Sequence, residues 1–396
     1  MSSLTPFHWV NGTHIAFGVG AIETIKRYIP KGANVLCLHD QSDAIVKCGA
    51  KVDLDAVLDE IGATHKWRGG IEPNPDYDTC LKIINEIRKE PVDFIIPVGG
   101  GSVMDAAKFI SSCVNLSPSV DPWETLKKPT LITKTIPTIS VCTLAATGSE
   151  WNERYVISRR RTQEKRPGMS PQVFFKLSVL DPRYTLTVPE HFTANGLYDS
   201  FCHVCEQYVH ANFAPMQDRL AEATASTIVE VAPKLMKSLG NLNYRGTAMQ
   251  TSAYALNTFL QHGTSSCWGT HRIGMSLTAR YNMDHAETLV CIQPWLWRHF
   301  FDVKKHKLAQ MAVRVWGFNG SGDVNEVAKF SIAKTEEFAK KLGFGLKISD
   351  YVKEKNPQSA VDWMTESTWD LMGRQGFGER GMIHKDDVKE ILEAAF

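Results

Sequence analysis

The chain has 396 residues, 43% of them hydrophobic, which is enough to bury a large core and too long for one typical domain. Lys plus Arg number 44 against 43 Asp plus Glu, which excludes a global field that would draw the molecule to nucleic acid or an anionic membrane and favours a small-molecule partner. The nine cysteines are odd in number, scattered and set in apolar runs such as Val35-Leu36-Cys37-Leu38, as reduced thiols in a reducing compartment are.

Met1 to Phe17 contain no basic segment followed by an apolar stretch and a cleavage site, and no window nears the roughly eighteen apolar residues of a membrane span. A soluble, cytoplasmic protein without membrane contact is expected. Asn11-Gly12-Thr13 matches a glycosylation acceptor that a cytosolic chain does not use. From the start to about Pro189, short β-rich runs alternate with amphipathic helices, as in Val35–Leu38, Ile83–Lys89, Phe94–Val98 and Met104–Val114. That alternation predicts an α/β domain over 1–188, a parallel sheet with flanking helices. Beyond it the pattern turns helical, with segments at Leu197–His210, Asp218–Leu239, Arg245–Phe259, Val324–Leu342 and Lys385–Ala395, and predicts an all-α domain over 189–396. There is no fixed-period repeat, and Arg159-Arg160-Arg161 is too short for a nucleic-acid patch and reads as a solvated turn.

Phe94-Ile95-Ile96-Pro97-Val98 runs straight into Gly99-Gly100-Gly101-Ser102 before a helix opens at Val103. Glycines there let the backbone approach a pyrophosphate, while free amides and the positive helix end offset its charge. Tight turns also use glycine for steric reasons, and three consecutive glycines do not match G-x-G-x-x-G, so the ordinary Rossmann reading is disfavoured. A second polar loop, Thr138 to Glu150, follows a strand expected to end near Ile136 and carries Thr143, Thr147 and Gly148. Its hydroxyls suit ribose or phosphate contacts, or equally ordinary loop and cap roles, until something links the two loops.

Asp199 and His203 lie four apart in a helical pattern and so project from one face, one turn apart. His271 and His285, on helical segments of their own, complete a set of three imidazoles and one carboxylate that suits Fe²⁺ or Zn²⁺ and leaves room for a substrate oxygen. A Lewis acid there polarises a carbonyl or acidifies an alcohol. Cys202-His203-Val204-Cys205 is a C-x-x-C inside a helix with no second cysteine pair, and reads as buried small side chains.

Together these residues resemble the group III, iron-containing alcohol dehydrogenases, most closely the branch of butanol dehydrogenases and broad-range aldehyde reductases. The resemblance rests on Asn11-Gly12-Thr13 through Gly20, Gly69-Gly70-Ile71-Glu72-Pro73-Asn74-Pro75, Gly99-Gly100-Gly101-Ser102 with Asp105 and Lys108, Ala146-Thr147-Gly148-Ser149-Glu150, and Val179-Leu180-Asp181-Pro182. The helical half adds Asp199, His203, Glu206, His271 and Asp284-His285-Ala286-Glu287-Thr288. It implies a dehydroquinate synthase-like architecture, in which an N-terminal dinucleotide-binding domain and a helical domain flank a catalytic cleft. It also implies hydride transfer between NAD(P)H and an aldehyde polarised by one divalent metal. Gly99, Gly100, Gly101 and Ser102 would hold the pyrophosphate, Thr143, Thr147 and Lys165 the ribose and nicotinamide side, and Asp199, His203, His271 and His285 the metal. A homodimer is the assembly common among such relatives.

Departures narrow what carries over. Many relatives have a proton-relaying histidine where this chain has Met275, which exchanges no proton. Trp151, Glu153 and Arg154 stand where small residues are usual, so Trp151, Arg154, Trp268 and Met275 are the expected substrate contacts. Arg154, with Arg272, would select an aldehyde bearing an acidic group, or else pair with Glu153. Asp40, after the strand Val35–Leu38, would bond a ribose hydroxyl and repel a 2′-phosphate, favouring NAD(H) over NADP(H). Rival readings are a sugar-phosphate cyclase or glycerol-1-phosphate dehydrogenase on the same scaffold, and a non-catalytic, filament-type assembly domain. Basic phosphate-binding clusters are not evident for the first, and the complete four-ligand set speaks against the second.

Overall fold

The computed structural model describes residues 5–396 and divides the chain into two units. The first comprises Val10–Thr193 and Ser238–Asn257. Its strands among the described residues are β1 (His14–Phe17), β2 (Asn34–Asp40), β3 (Thr64–Ile71), β4 (Phe94–Gly99), β5 (Ile139–Cys142), β6 (Arg154–Arg159), β7 (Glu164–Met169) and β8 (Leu177–Leu180). Six of them form a parallel sheet in the order β1-β8-β5-β4-β2-β3. Successive side chains of a strand point to opposite faces, and a parallel sheet buries both. Leu36, Leu38 and Ile95 accordingly join the helices Tyr77–Lys89 and Gly101–Cys113 on one face. Val35, Cys37, Ile96, Val98, Val141 and Val179 join the helix Ala50–Glu60 on the other.

Several sequence expectations shift here. The strand placed near Ile136 is Ile139–Cys142, so the polar loop begins at Thr143 and not at Thr138. β6 and β7 form an antiparallel hairpin. The turn between them contains Arg160 and Arg161, but these arginines are not simply solvated. Arg159 lies over the rings of Tyr77 and Trp123, at 4.8 and 5.3 Å, and Arg160 Nη2 donates to the Pro73 carbonyl at 2.8 Å.

The helix Leu242–Ala255, which periodicity alone groups with the all-α half, belongs to the α/β unit. Its Met249 and Ala253 complete a core cluster with Met104, Cys142, Phe175 and Leu180, and Arg245 Nη1 donates to Thr193 Oγ1 at 2.8 Å. The second unit comprises the segment ending at Trp9, Ala194–Lys237 and Thr258–Phe396. It is built of helices, among them Pro215–Lys237, Gly269–Tyr281, His285–His299, Phe301–Arg314, Val324–Lys341, Pro357–Leu371 and Lys385–Ala395. The helix Glu190–Tyr208 runs into it from the first unit. Among the described residues no helix is long and apolar enough to cross a membrane.

Candidate functional site

In the α/β unit, β4 ends at Gly99 and the helix Gly101–Cys113 begins two residues later, with no side chain capping it. Uncapped first-turn amides make a ready anion site. A Cβ on Gly99 would stand 2.6 Å from Val103 Cγ2, and one on Gly100 would stand 3.1 Å from Leu144 Cβ. One on Gly101 would overlap the Thr147 side chain. Thr147 therefore closes directly on the glycine turn and links the two loops, and Thr143 N–H donates to the Gly99 carbonyl at 3.0 Å.

Ser102 Oγ accepts the Asn74 N–H at 3.2 Å, and Asn74 Oδ1 accepts from Lys165 Nζ at 2.8 Å. Asn74, in the left-handed region at φ 53°, is thus the residue that joins Ser102 to Lys165. Asp40 ends β2, whose Leu38 pairs with Pro97 of β4, so it stands at the same C-terminal sheet edge as the glycine turn, where such sheets take their ligands. Its Oδ1 accepts from the N–H and hydroxyl of Ser42, each at 2.7 Å.

Beneath the turn lies a buried charged set. Lys108, 0% exposed, donates to the Ser149 carbonyl (2.6 Å), Ser149 Oγ (2.9 Å), Asn152 Oδ1 (3.2 Å) and the Arg154 carbonyl (2.8 Å). Burial pushes its amine down to about 8 against the pull of Asp105, Glu153 and Glu150. Asp105, which accepts from Ser149 Oγ at 2.7 Å and Val156 N–H at 2.8 Å, is pushed up by burial to about 6.

The second centre lies wholly in the helical unit. The helix Glu190–Tyr208 presents Asp199 and His203 one turn apart, Gly269–Tyr281 presents His271, and His285 opens the helix His285–His299. The Nε2 atoms of His203, His271 and His285 stand 3.5, 3.6 and 3.6 Å from Asp199 Oδ1. Ligands about 2.1 Å from a tetrahedral ion are about 3.4 Å apart, so this is the spacing of donors arranged around a cation. Asp199 Oδ1 and His271 Nε2 are buried with no hydrogen-bond partner among the described residues, as metal-binding lone pairs would be. Asp199, His271 and His285, whose ligand atoms all lie within 4.8 Å of one another, therefore fit one divalent ion, with His203 Nε2 3.5 Å from the shared Asp199 oxygen.

Burial alone would raise the Asp199 carboxyl, but His203, His285 and His271 hold it well below the usual carboxylate range. Burial would lower His271, yet Asp199 and Glu206 raise it to about 9. Both shifts express one demand, for positive charge among buried carboxylates.

Glu206 is the residue whose role only the structure reveals. Its carboxylate accepts the N–H groups of Thr270 (2.8 Å) and His271 (3.1 Å), capping that helix, and also accepts from His271 Nδ1 at 2.6 Å. That last bond fixes the tautomer that leaves the His271 Nε2 lone pair for metal. Trp268, the N-cap, adopts φ 56°, a left-handed backbone that costs about 1–3 kcal/mol and marks a site held by its surroundings. Its ring flanks those of His203 and His271 at 6.1 and 5.4 Å. Glu206→Gln is expected to weaken metal affinity by about 10–100-fold while the helix stays folded, read by chelator competition.

The four expected substrate residues divide between the units. Trp268, the buried Met275, one helical turn after His271, and the half-buried Arg272 lie in the helical unit, on or capping the helix that carries His271. In the α/β unit, Trp151 packs edge-on against Tyr254 at 5.1 Å, and Arg154 Nε lies 3.8 Å from Glu153 Oε1. Cys202 and Cys205 are buried and free, as are six of the other seven cysteines, Cys48 being half-buried and free.

A glycine turn at the end of a parallel-sheet strand and a cluster of histidines around a buried carboxylate among helices are the marks of metal-dependent dehydrogenases of dehydroquinate synthase-like architecture. The chain belongs to the iron-containing alcohol dehydrogenase family. The family model for iron-containing alcohol dehydrogenase matches residues 12–182, and the C-terminal model of the Fe-containing alcohol dehydrogenase family matches 193–396.

The chain is 39% identical to the NADPH-dependent aldehyde reductase YqhD of Escherichia coli, over 97% of each chain. It is 34% identical to the probable NADH-dependent butanol dehydrogenase 1 of Bacillus subtilis, over 98% of this chain and 99% of the other. The crystal structure of E. coli K-12 YqhD superposes with a TM-score of 0.94 over the whole of both chains at 36% identity. The protein is an NAD(P)-dependent, metal-dependent alcohol dehydrogenase and aldehyde reductase.

Proposed function

We propose that the enzyme reduces uncharged aldehydes with NADH, the carbonyl oxygen seated beside Asp199, His203, His271 and His285 and the rest of the substrate against Trp268 and Met275. The observation that carries this reading is the convergence of three imidazole Nε2 atoms at 3.5–3.6 Å around an unpartnered Asp199 oxygen. A divalent ion held there, Fe²⁺ or Zn²⁺, supplies the Lewis acid that polarises a carbonyl. Glu206 keeps a proton on His271 Nδ1 and so keeps Nε2 available. Gly99, Gly100, Gly101 and Ser102 receive the cofactor pyrophosphate, with Thr143, Thr147 and Lys165 toward its ribose and nicotinamide. Met275 moves no proton, so the proton that completes the alcohol comes through water.

Arg154 lies 3.8 Å from Glu153, its charge answered within the chain, which favours uncharged over acidic aldehydes. The test follows NADH absorbance with butanal and with an acidic aldehyde in metal-loaded wild type and Arg154→Ala. Butanal is expected to be the better substrate, and Arg154→Ala to alter both alike. A loss confined to the acidic aldehyde, or no metal-dependent turnover of either, would overturn the reading.

NADH is proposed over NADPH because Asp40 puts a carboxylate at the end of β2, where a 2′-phosphate would meet like charge. Asp40→Gly is expected to narrow the NADH-over-NADPH ratio of kcat/KM by at least about tenfold, about 1.4 kcal/mol. A wild type that prefers NADPH would refute the role of Asp40.

The nine free cysteines support a reducing, cytoplasmic setting. A homodimer is supported by β1, which among the described residues is an edge strand paired with β8 alone, and around which Val10, Phe17 and Val19 are exposed. Sedimentation is expected to show two copies of wild type and one of Phe17→Lys.

A further inference from the structure

Glu150 takes no part in the chemistry above. It is 2% exposed, and its Oε1 has no hydrogen-bond partner among the described residues. It follows Thr147, the residue that closes on Gly101, by three positions. Ser178 Oγ donates to its carbonyl at 2.6 Å, which fixes the backbone beneath the side chain.

The groups that face it come from several elements. The helix Gly101–Cys113 contributes Lys108 and Asp105, and β5 contributes Cys142. The helix Leu242–Ala255 packs on the same turn, with the Ser252 carbonyl against Gly148 and Tyr254 against Trp151. Lys108 commits its ammonium to Ser149, Asn152 and Arg154. A buried carboxyl placed this way keeps its proton near neutral pH until positive charge arrives, and burial does push Glu150 up, to about 7.

We propose that Glu150 is an ionisable counter-charge for the cofactor: its carboxyl sheds its proton when the oxidised, cationic nicotinamide binds and retains it when the reduced, neutral one binds. The inference rests on the reading that the Gly99–Ser102 turn and Thr147 hold that cofactor. On binding, only the carboxyl O–H bond breaks; in turnover the C–H bond of the reduced ring breaks as well and its hydride passes to the aldehyde carbon. As hydride leaves the reduced ring, the ring gains one positive charge, the carboxyl gains one negative charge, and its proton passes to solvent. Reduced cofactor then binds with the proton in place, so Glu150 favours product charge after transfer without holding back the incoming neutral form.

The experiment uses metal-loaded enzyme without aldehyde. NAD⁺ and NADH are titrated by tryptophan fluorescence from pH 5.5 to 8.5, with proton release followed in weakly buffered indicator dye. The Kd for NAD⁺ is expected to rise about tenfold for each pH unit below about 7 and to level off above it. Release should approach one proton per site at pH 6 and vanish by pH 8.5, and NADH should show neither effect. Glu150→Gln is expected to bind both cofactors without the pH dependence or the release.

Release that survives in Glu150→Gln, or equal release with NADH, would overturn the proposal. So would its absence with NAD⁺ in wild type, a comparison that decides even if the variant does not fold. Failure of both cofactors to bind would overturn the cofactor-site reading together with it.

Discussion

His271→Ala is expected to strip the enzyme of its metal and lower kcat for aldehyde reduction by about a thousandfold, about 4 kcal/mol, since Lewis-acid stabilisation is worth several kcal/mol. His271 serves the site from both ring nitrogens. Nε2 faces Asp199 Oδ1 at 3.6 Å, and Nδ1 bonds Glu206 at 2.6 Å. Its removal takes one donor from the ion and leaves Glu206, fully buried, with backbone N–H partners alone. Metal content after dialysis, measured by mass spectrometry beside the rate of NADH oxidation with butanal, checks both halves of the expectation. Full metal occupancy with turnover within tenfold of wild type would remove His271 from the ligand set.

Lys108→Met should be the most damaging substitution for stability, at about 3–5 kcal/mol, the usual cost of breaking a buried ionic network from one side. Methionine replaces the stem, but the four oxygens gathered around Nζ lose their donor. Asp105 and Glu150, already raised by burial, lose the cation that favours their charged forms. These contacts tie the helix after the glycine turn to the loop that carries Thr147, so, if that turn holds the cofactor as proposed, cofactor affinity should fall together with the guanidinium chloride midpoint of unfolding. A loss below about 1 kcal/mol would mean that the lysine is dispensable.

The candidate metal set was proposed from the sequence because helical spacing puts Asp199 and His203 on one face and His271 and His285 lie on helical segments of their own, and the structure brings the four side chains together. Glu206 was visible as part of the family resemblance, but its three bonds into the helix that starts near Trp268 depend on packing that no spacing encodes. Asp105 and Lys108 entered as residues of the resemblance, with no role attached. Their helix is enclosed on nearly every side, so charge there becomes structural. Asn74 stood within the Gly69–Pro75 motif, but its bridge between Ser102 and Lys165 forms only once β3, β4 and the hairpin meet. The helix Leu242–Ala255, unlike its neighbours in the chain, has almost no apolar stripe of its own, so its sequence pattern does not say which core it joins.

That helix also bears on how the protein is made. The chain passes from one unit to the other after Trp9, Thr193, Lys237 and Asn257, so neither unit is a continuous stretch of sequence. During translation the sheet is complete once β8 has emerged, but Met104, Cys142, Phe175 and Leu180 wait for Met249 and Ala253 to cover them. A fragment cut near residue 188 would carry that apolar surface bare. The nascent chain faces the same exposure until residue 257 has left the ribosome, the interval in which a chaperone has most to protect.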